Sequence, residues 1–111
     1  MIQWKPIKRF PGYKACSDGR VLSNKGAKPI LLKGYTRRGY RVLILRKEGK
    51  TVEVPRGELV LEAFKRRRRR RERVGHKDGN PLNCRLDNLF YSLKAVPLNE
   101  FRKRRLYNGR D

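Results

Sequence analysis

The chain has 111 residues, and 31 Lys and Arg against 10 Asp and Glu leave it a formal charge of +21. Self-repulsion on that scale calls for a polyanionic partner, and nucleic acid fits best, because a basic surface neutralises phosphates and releases their counterions. The length excludes two large independent cores, and the longest apolar runs, 29–32 and 42–45, are far too short to span a bilayer.

An anionic membrane surface is the competing partner. No segment pairs a Lys/Arg face with a broad Leu/Phe/Trp face, so no membrane association is expected. The first ten residues, MIQWKPIKRF, carry charge where an export signal needs its apolar stretch, which points to a cytoplasmic, nucleic-acid-associated protein. Cys16 and Cys84 are too few and too far apart for a zinc ribbon or a redox pair, and read as small apolar residues kept reduced.

Taken in chain order, the first third is broken by Pro6, Pro11, Gly12, Gly19, Gly26, Pro29, Gly34 and Gly39, leaving room only for short strands and turns. Residues 40–46 (YRVLILR) are β-branched and apolar enough for a strand, 48–50 supply a turn, and 51–54 alternate as the partner strand of a hairpin. Pro55 suits the first turn of a helix in which Leu59, Val60, Ala63 and Phe64 recur on one face.

Residues 65–73 follow, with six consecutive arginines, Arg66, Arg67, Arg68, Arg69, Arg70 and Arg71, and then Arg73. Arginine has good helix propensity, so the run can extend the helix, but repulsion at i,i+4 frays it without a counter-charge. Its place in mid-chain favours a clamp on phosphates over a solvated tract. Residues 97–107 begin with Pro97 and set Leu98, Phe101, Arg105 and Leu106 near one side of a short basic helix, from which Arg102 and Lys103 can face phosphate. Tyr35, Tyr40, Tyr91 and Tyr107 read as packing residues.

Between them lies Val74-Gly75-His76-Lys77-Asp78-Gly79-Asn80, followed by Asn83-Cys84-Arg85-Leu86-Asp87-Asn88-Leu89. This stretch resembles the motif of the HNH endonucleases of phage homing type: a strand ending in His, a DGN turn, and an Asn-Leu that opens a second strand. Upstream, Trp4-Lys5-Pro6-Ile7, Gly12-Tyr13 and Ser17-Asp18-Gly19-Arg20-Val21-Leu22-Ser23 resemble the nuclease-associated module that precedes the motif, and residues 59–64 resemble the helix between the two. The resemblance covers roughly residues 4–99 and rests on the shared order of motifs that are individually weak.

The resemblance implies an α+β fold: a β-rich module over 1–54, a linking helix and arginine run over 55–73, and a ββα-metal finger over 74–107. It implies metal-dependent phosphodiester hydrolysis that nicks or cuts DNA, with His76 as general base and Asn88 as the loop residue that orients it. Lys77, Arg102, Lys103 and the arginine run would contact nucleic acid, DNA rather than RNA. The implied cofactor is one divalent cation, magnesium or manganese. Gly75 stands where many relatives place an Asp or Asn ligand, Pro97 where the second ligand falls by count, and Gly57 where His is common. Asn99, two residues past Pro97, is the remaining candidate ligand. The alternative is a catalytically inactive binder of DNA or RNA on the same fold, in a ribonucleoprotein or transcription complex, with no cofactor. Asp78, Gly79 and Asn80 carry only turn chemistry.

Overall fold

The structure, a computed structural model, describes residues 2–93. Strands β1 (Trp4–Pro6), β2 (Tyr13–Cys16), β3 (Val21–Ser23) and β4 (Ile30–Leu31) form an antiparallel sheet in sequential order. Strands β5 (Tyr35–Arg37), β6 (Tyr40–Lys47) and β7 (Lys50–Pro55) form a second, and α1 (Arg56–Phe64) follows directly. Then β8 (Arg73–His76) pairs with β9 (Leu89–Ser92), the latter entered from a 3₁₀ turn at Leu86–Asn88. Among the described residues the architecture is therefore mixed and β-rich, with one α-helix and no helix long and apolar enough to cross a membrane.

The hairpin expected at 40–54 is present, with β6 running one residue further at its end and β7 one residue further at each of its ends. Its turn pairs Lys47 with Lys50, and Glu48 and Gly49 both take positive φ (53° and 80°), the mirror-image turn whose twist matches that of the strands. Arg38 and Gly39 do the same between β5 and β6, a hairpin the sequence reading missed because Arg38 is an unusual residue in that conformation.

Helix α1 lies in the middle, touching β1, β2 and β3 on one side and β6 and β7 on the other. This is why Leu61 is buried along with Leu59 and Val60, while Ala63 and Phe64 of the predicted face are only half-buried. One core joins Ile7 and Phe10 of the β1–β2 connection, Val21 of β3, Leu43, Leu45 and Val54 of the second sheet, Cys84, and Leu89 of β9. Each large side chain of that core contributes roughly 1.5–3 kcal/mol by leaving water. Cys16 and Cys84 are both buried and unpaired thiols.

The helix stops at Phe64: the Lys65 and Arg66 amides both turn back onto the Leu61 carbonyl (2.8 and 3.2 Å), and the arginine run leaves as a loop. The extended helix allowed by propensity does not form. Stacked arginines at i,i+4 repel, and Glu72, the counter-charge that Arg66 takes, is reachable only if the chain folds back.

Candidate nucleic-acid-cleaving site

The β2–β3 turn fixes the loop that carries the site. Gly19, at φ 103°, lies so close to the Cys84 carbonyl that a β-carbon there would stand 2.9 Å from it, and the Leu86 amide donates to the Ser17 carbonyl at 2.9 Å. The N-terminal sheet thus holds the segment leading to Asn88.

Asn88 is buried at 8% exposure and uses its whole amide. Its Oδ1 accepts the Asp78 N–H (3.0 Å), and its Nδ2 donates to Asp78 Oδ1 (3.0 Å) and to the Asn83 carbonyl (2.9 Å). Asp78 in turn accepts from the Asn80 amide and from Asn83 Nδ2, both at 2.8 Å. The Asn83 bond, the Asn80 amide and Asn88 together hold the Asp78 carboxyl below its ordinary range, against a smaller opposing effect of burial. Its oxygens are occupied in knitting the turn, the chemistry expected of a DGN segment.

His76 ends β8, with its carbonyl accepting the Gly79 amide (2.8 Å) and the side chain only 6% exposed. Burial pushes its pKa below the ordinary 6.5, with the Asp78 charge opposing, so the ring is neutral at physiological pH. The Tyr40 ring stands against it at 5.9 Å between centroids. A β-carbon at Gly57 would lie 3.6 Å from Nε2, so the absence of a side chain there opens space at that nitrogen.

That space belongs to a cleft of about 260 Å³ walled by Tyr40, Arg41, Gly57, Glu58, Arg68, Glu72, Arg73 and His76, in which Glu58 pairs with Arg68 (3.3 Å). Residues from β6, α1, the arginine loop and β8 meet there, and Tyr40, Arg41 and Gly57 were absent from the sequence-predicted site. Tyr40 is half-buried in a strand, which by pattern alone reads as packing.

The predicted binding residues divide by location. Arg68 and Arg73 line the His76 cleft; Arg66 and Arg67 line a second groove with Lys8, Arg9 and Lys65; Lys77 shares a third surface with Lys65 and Arg85. Arg69, Arg70 and Arg71 are exposed on the loop. Asn99, Arg102 and Lys103 lie outside the described residues, as does the expected helix at 97–107.

For a cation, residues 2–93 offer no group of three or more His, Cys, Asp and Glu side chains placed to hold one. Gly75 has a steric reason to lack a side chain: the Phe90 ring covers it, and a β-carbon would meet the ring at 2.4 Å. Gly75→Asp is expected to lower unfolding free energy by about 1–3 kcal/mol, the usual range for overpacking, as measured by denaturant titration. The loss should shrink when Phe90→Ala is combined with it, and a Gly75→Asp variant as stable as wild type would contradict the packing account.

The NUMOD4 motif family matches residues 3–46, as the upstream resemblance led us to expect. A protein of Acanthamoeba polyphaga mimivirus, named an uncharacterized HNH endonuclease, is 37% identical over 91 residues, spanning 80% of this chain and 26% of that protein. The HNH homing endonuclease I-HmuI, in a structure concerned with its DNA binding and cleavage, superposes with a TM-score of 0.71 at 30% identity over 96% of this chain and 56% of its own. The chain thus spans about a quarter of the curated relative and just over half of the solved one. With the NUMOD4 match in its first half and these two likenesses over most of its length, the chain is a relative of the HNH endonucleases.

Proposed function

We propose that the chain binds DNA and hydrolyses its phosphodiester bonds, nicking or cutting, with His76 as general base and Asn88 as the residue that positions it. The observation that carries this reading is a neutral, buried imidazole that lines a cleft where Arg41, Arg68 and Arg73 outnumber Glu58 and Glu72. A phosphodiester drawn in by those guanidinium groups brings its phosphorus toward the ring. A water between them loses its proton to Nε2 as its oxygen attacks phosphorus, the bond from phosphorus to one sugar oxygen breaks, that oxygen departs and takes a proton from solvent, and the arginines stabilise the charge that builds on the phosphate oxygens. Asn88 acts earlier, by fixing the turn from which the His76 backbone is held. Strands β8 and β9 would be the two strands of the ββα finger.

A divalent cation, magnesium or manganese, belongs to the reading and would absorb charge on the phosphate and the departing oxygen, with Asn99 as the candidate protein ligand. The described side chains do not by themselves fit such an ion: Gly75 offers no oxygen and Asp78 is consumed by the turn.

The test is incubation of supercoiled plasmid with the chain in magnesium, in manganese and in chelator. Open-circle or linear product is expected only with a cation. No product with either metal removes the enzyme reading and leaves a basic nucleic-acid binder on the same fold.

A further inference from the structure

Six consecutive cations repel one another, and as a solvated tract they would splay apart. In the fold Glu72 gathers three of them, Arg66, Arg68 and Arg69, and Arg68 also pairs with Glu58 of α1 (3.3 Å). The Glu72 carboxylate accepts from both arms of Arg66 (2.8 and 2.7 Å) and from the Arg69 backbone N–H (2.7 Å). Its carbonyl accepts from Arg68 Nη1 (2.8 Å), and its own amide donates to the Arg69 carbonyl (3.1 Å). Arg66 also stacks over the Tyr91 ring at 4.8 Å, while the Tyr91 hydroxyl donates to the Arg66 carbonyl (2.9 Å). Hydrogen bonds from Arg66 and the Arg69 backbone hold the Glu72 carboxyl at about 2, so the clasp stays ionised wherever nucleic acid is bound.

The clasp leaves a ridge with two basic flanks. On one side Arg68 and Arg73 look into the His76 cleft; on the other, Arg66 and Arg67 meet Lys8, Arg9 and Lys65 around a groove of about 500 Å³. Arg69, Arg70 and Arg71 are exposed between them. Inside the second groove Arg9 is already committed to Glu62 (2.8 Å), whereas the side chains of Lys8, Lys65 and Arg67 form no ion pair among the described residues.

We propose that Glu72 is a positioning residue that shapes residues 66–71 into a preformed phosphate-binding ridge, so that a DNA strand seated at His76 crosses it into the groove lined by Lys8, Lys65 and Arg67. This rests on the DNA-binding reading above and adds to it a second backbone contact, remote from the cleft. Guanidinium groups and backbone fixed before contact lose less freedom on binding than a splayed tract would.

The experiment measures affinity for a short mixed-sequence DNA duplex in chelator, so that cleavage does not intervene, across a range of salt. Charge counting alone says that removing an anionic side chain strengthens binding to a polyanion. The ridge requires the opposite at Glu72. Glu72→Ala is expected to weaken binding by about 3- to 10-fold, the scale of one or two side chains that must be ordered on contact. It should also flatten the slope of log K against log salt by roughly 0.9 for each phosphate that the protein no longer neutralises. Glu48→Gln, at the exposed β6–β7 turn, should bind as well as wild type or better. The Lys8→Gln, Lys65→Gln double variant should flatten the slope as well. Glu72→Ala binding as tightly as wild type overturns the proposal, and so does weaker binding with an unchanged slope. If Glu72→Ala loses cooperative thermal unfolding, Glu72→Gln carries the test, since it keeps an acceptor for the Arg69 amide but loses the ionic clasp; affinity at or above wild type overturns the proposal there too. A wild-type chain that binds with these slopes but cuts nothing removes the nuclease reading and keeps the ridge, whereas one with no affinity for duplex removes both.

Discussion

Alanine at position 76 is expected to lower plasmid cleavage by around 10²–10⁴-fold, the usual effect of losing a positioned base, while duplex affinity stays near wild type. The separation follows from the geometry: the imidazole is buried and neutral, and the charges that border its cleft belong to Arg41, Arg68 and Arg73 and to Glu58 and Glu72, not to the ring. Comparable loss of binding and cleavage in His76→Ala would mean that the ring shapes the cleft rather than accepts a proton. The pH dependence provides a second check. Burial lowers the His76 pKa below 6.5, so the wild-type rate should hold constant down past that value and fall only at more acid pH, when the ring protonates. The stability link has the same sign. The folded value lies below the unfolded one, so the contribution of neutral His76 is fully present above 6.5 and is lost as pH falls from there through the folded value. His76→Ala should remove that part of the acid sensitivity in thermal melts.

Asn88→Ala should be the more damaging change to stability, by about 2–4 kcal/mol, because three hydrogen bonds go at once and the partners they leave are part-buried. Denaturant titration measures the loss. Cleavage should fall as well, since the Asn88 side chain joins Asp78 to Asn83 in the turn directly after the base. Asn88→Asp discriminates between shape and charge: it keeps the acceptor for the Asp78 N–H but sets one carboxylate against another, so it should rescue little. A fully stable Asn88→Ala would show that the turn is held by Asp78 and Asn83 alone.

Several elements were readable because their signals are local. Alternation and a Gly-bearing turn gave the β6–β7 hairpin, and Pro55 followed by spaced apolar residues gave α1. The order His76, DGN, Asn-Leu corresponds to a strand, a turn and a second strand whose register pairs His76 with Leu89. Strands β1 to β5 have two to four residues each and take their form from partners rather than from pattern, so only their presence, not their bounds, could be anticipated. The predicted helix face was too narrow for the same kind of reason: α1 has sheets on two sides, and local periodicity does not reveal how many neighbours a helix has.

What the sequence determined by itself was the charge, and with it the expectation of a polyanionic partner, together with a set of chemical groups whose order along the chain carries the family likeness. Net charge is a sum over residues, and a motif is a spacing; neither needs a fold. The tertiary structure decided which of those groups act together. Tyr40, Gly57 and Arg68 stand beside His76 because β6, α1 and the arginine loop converge there, across as many as 36 residues of chain between Tyr40 and His76. It also decided that the arginines are not equivalent: Glu72 secures a half-buried Arg66 through a reversal of the chain, Arg68 is exposed but held by Glu58 and the Glu72 carbonyl, and Arg67, Arg70 and Arg71 are exposed with no ion pair among the described residues. A run of identical residues carries no information about which of them is held, because only the position of a counter-charge in space distinguishes them.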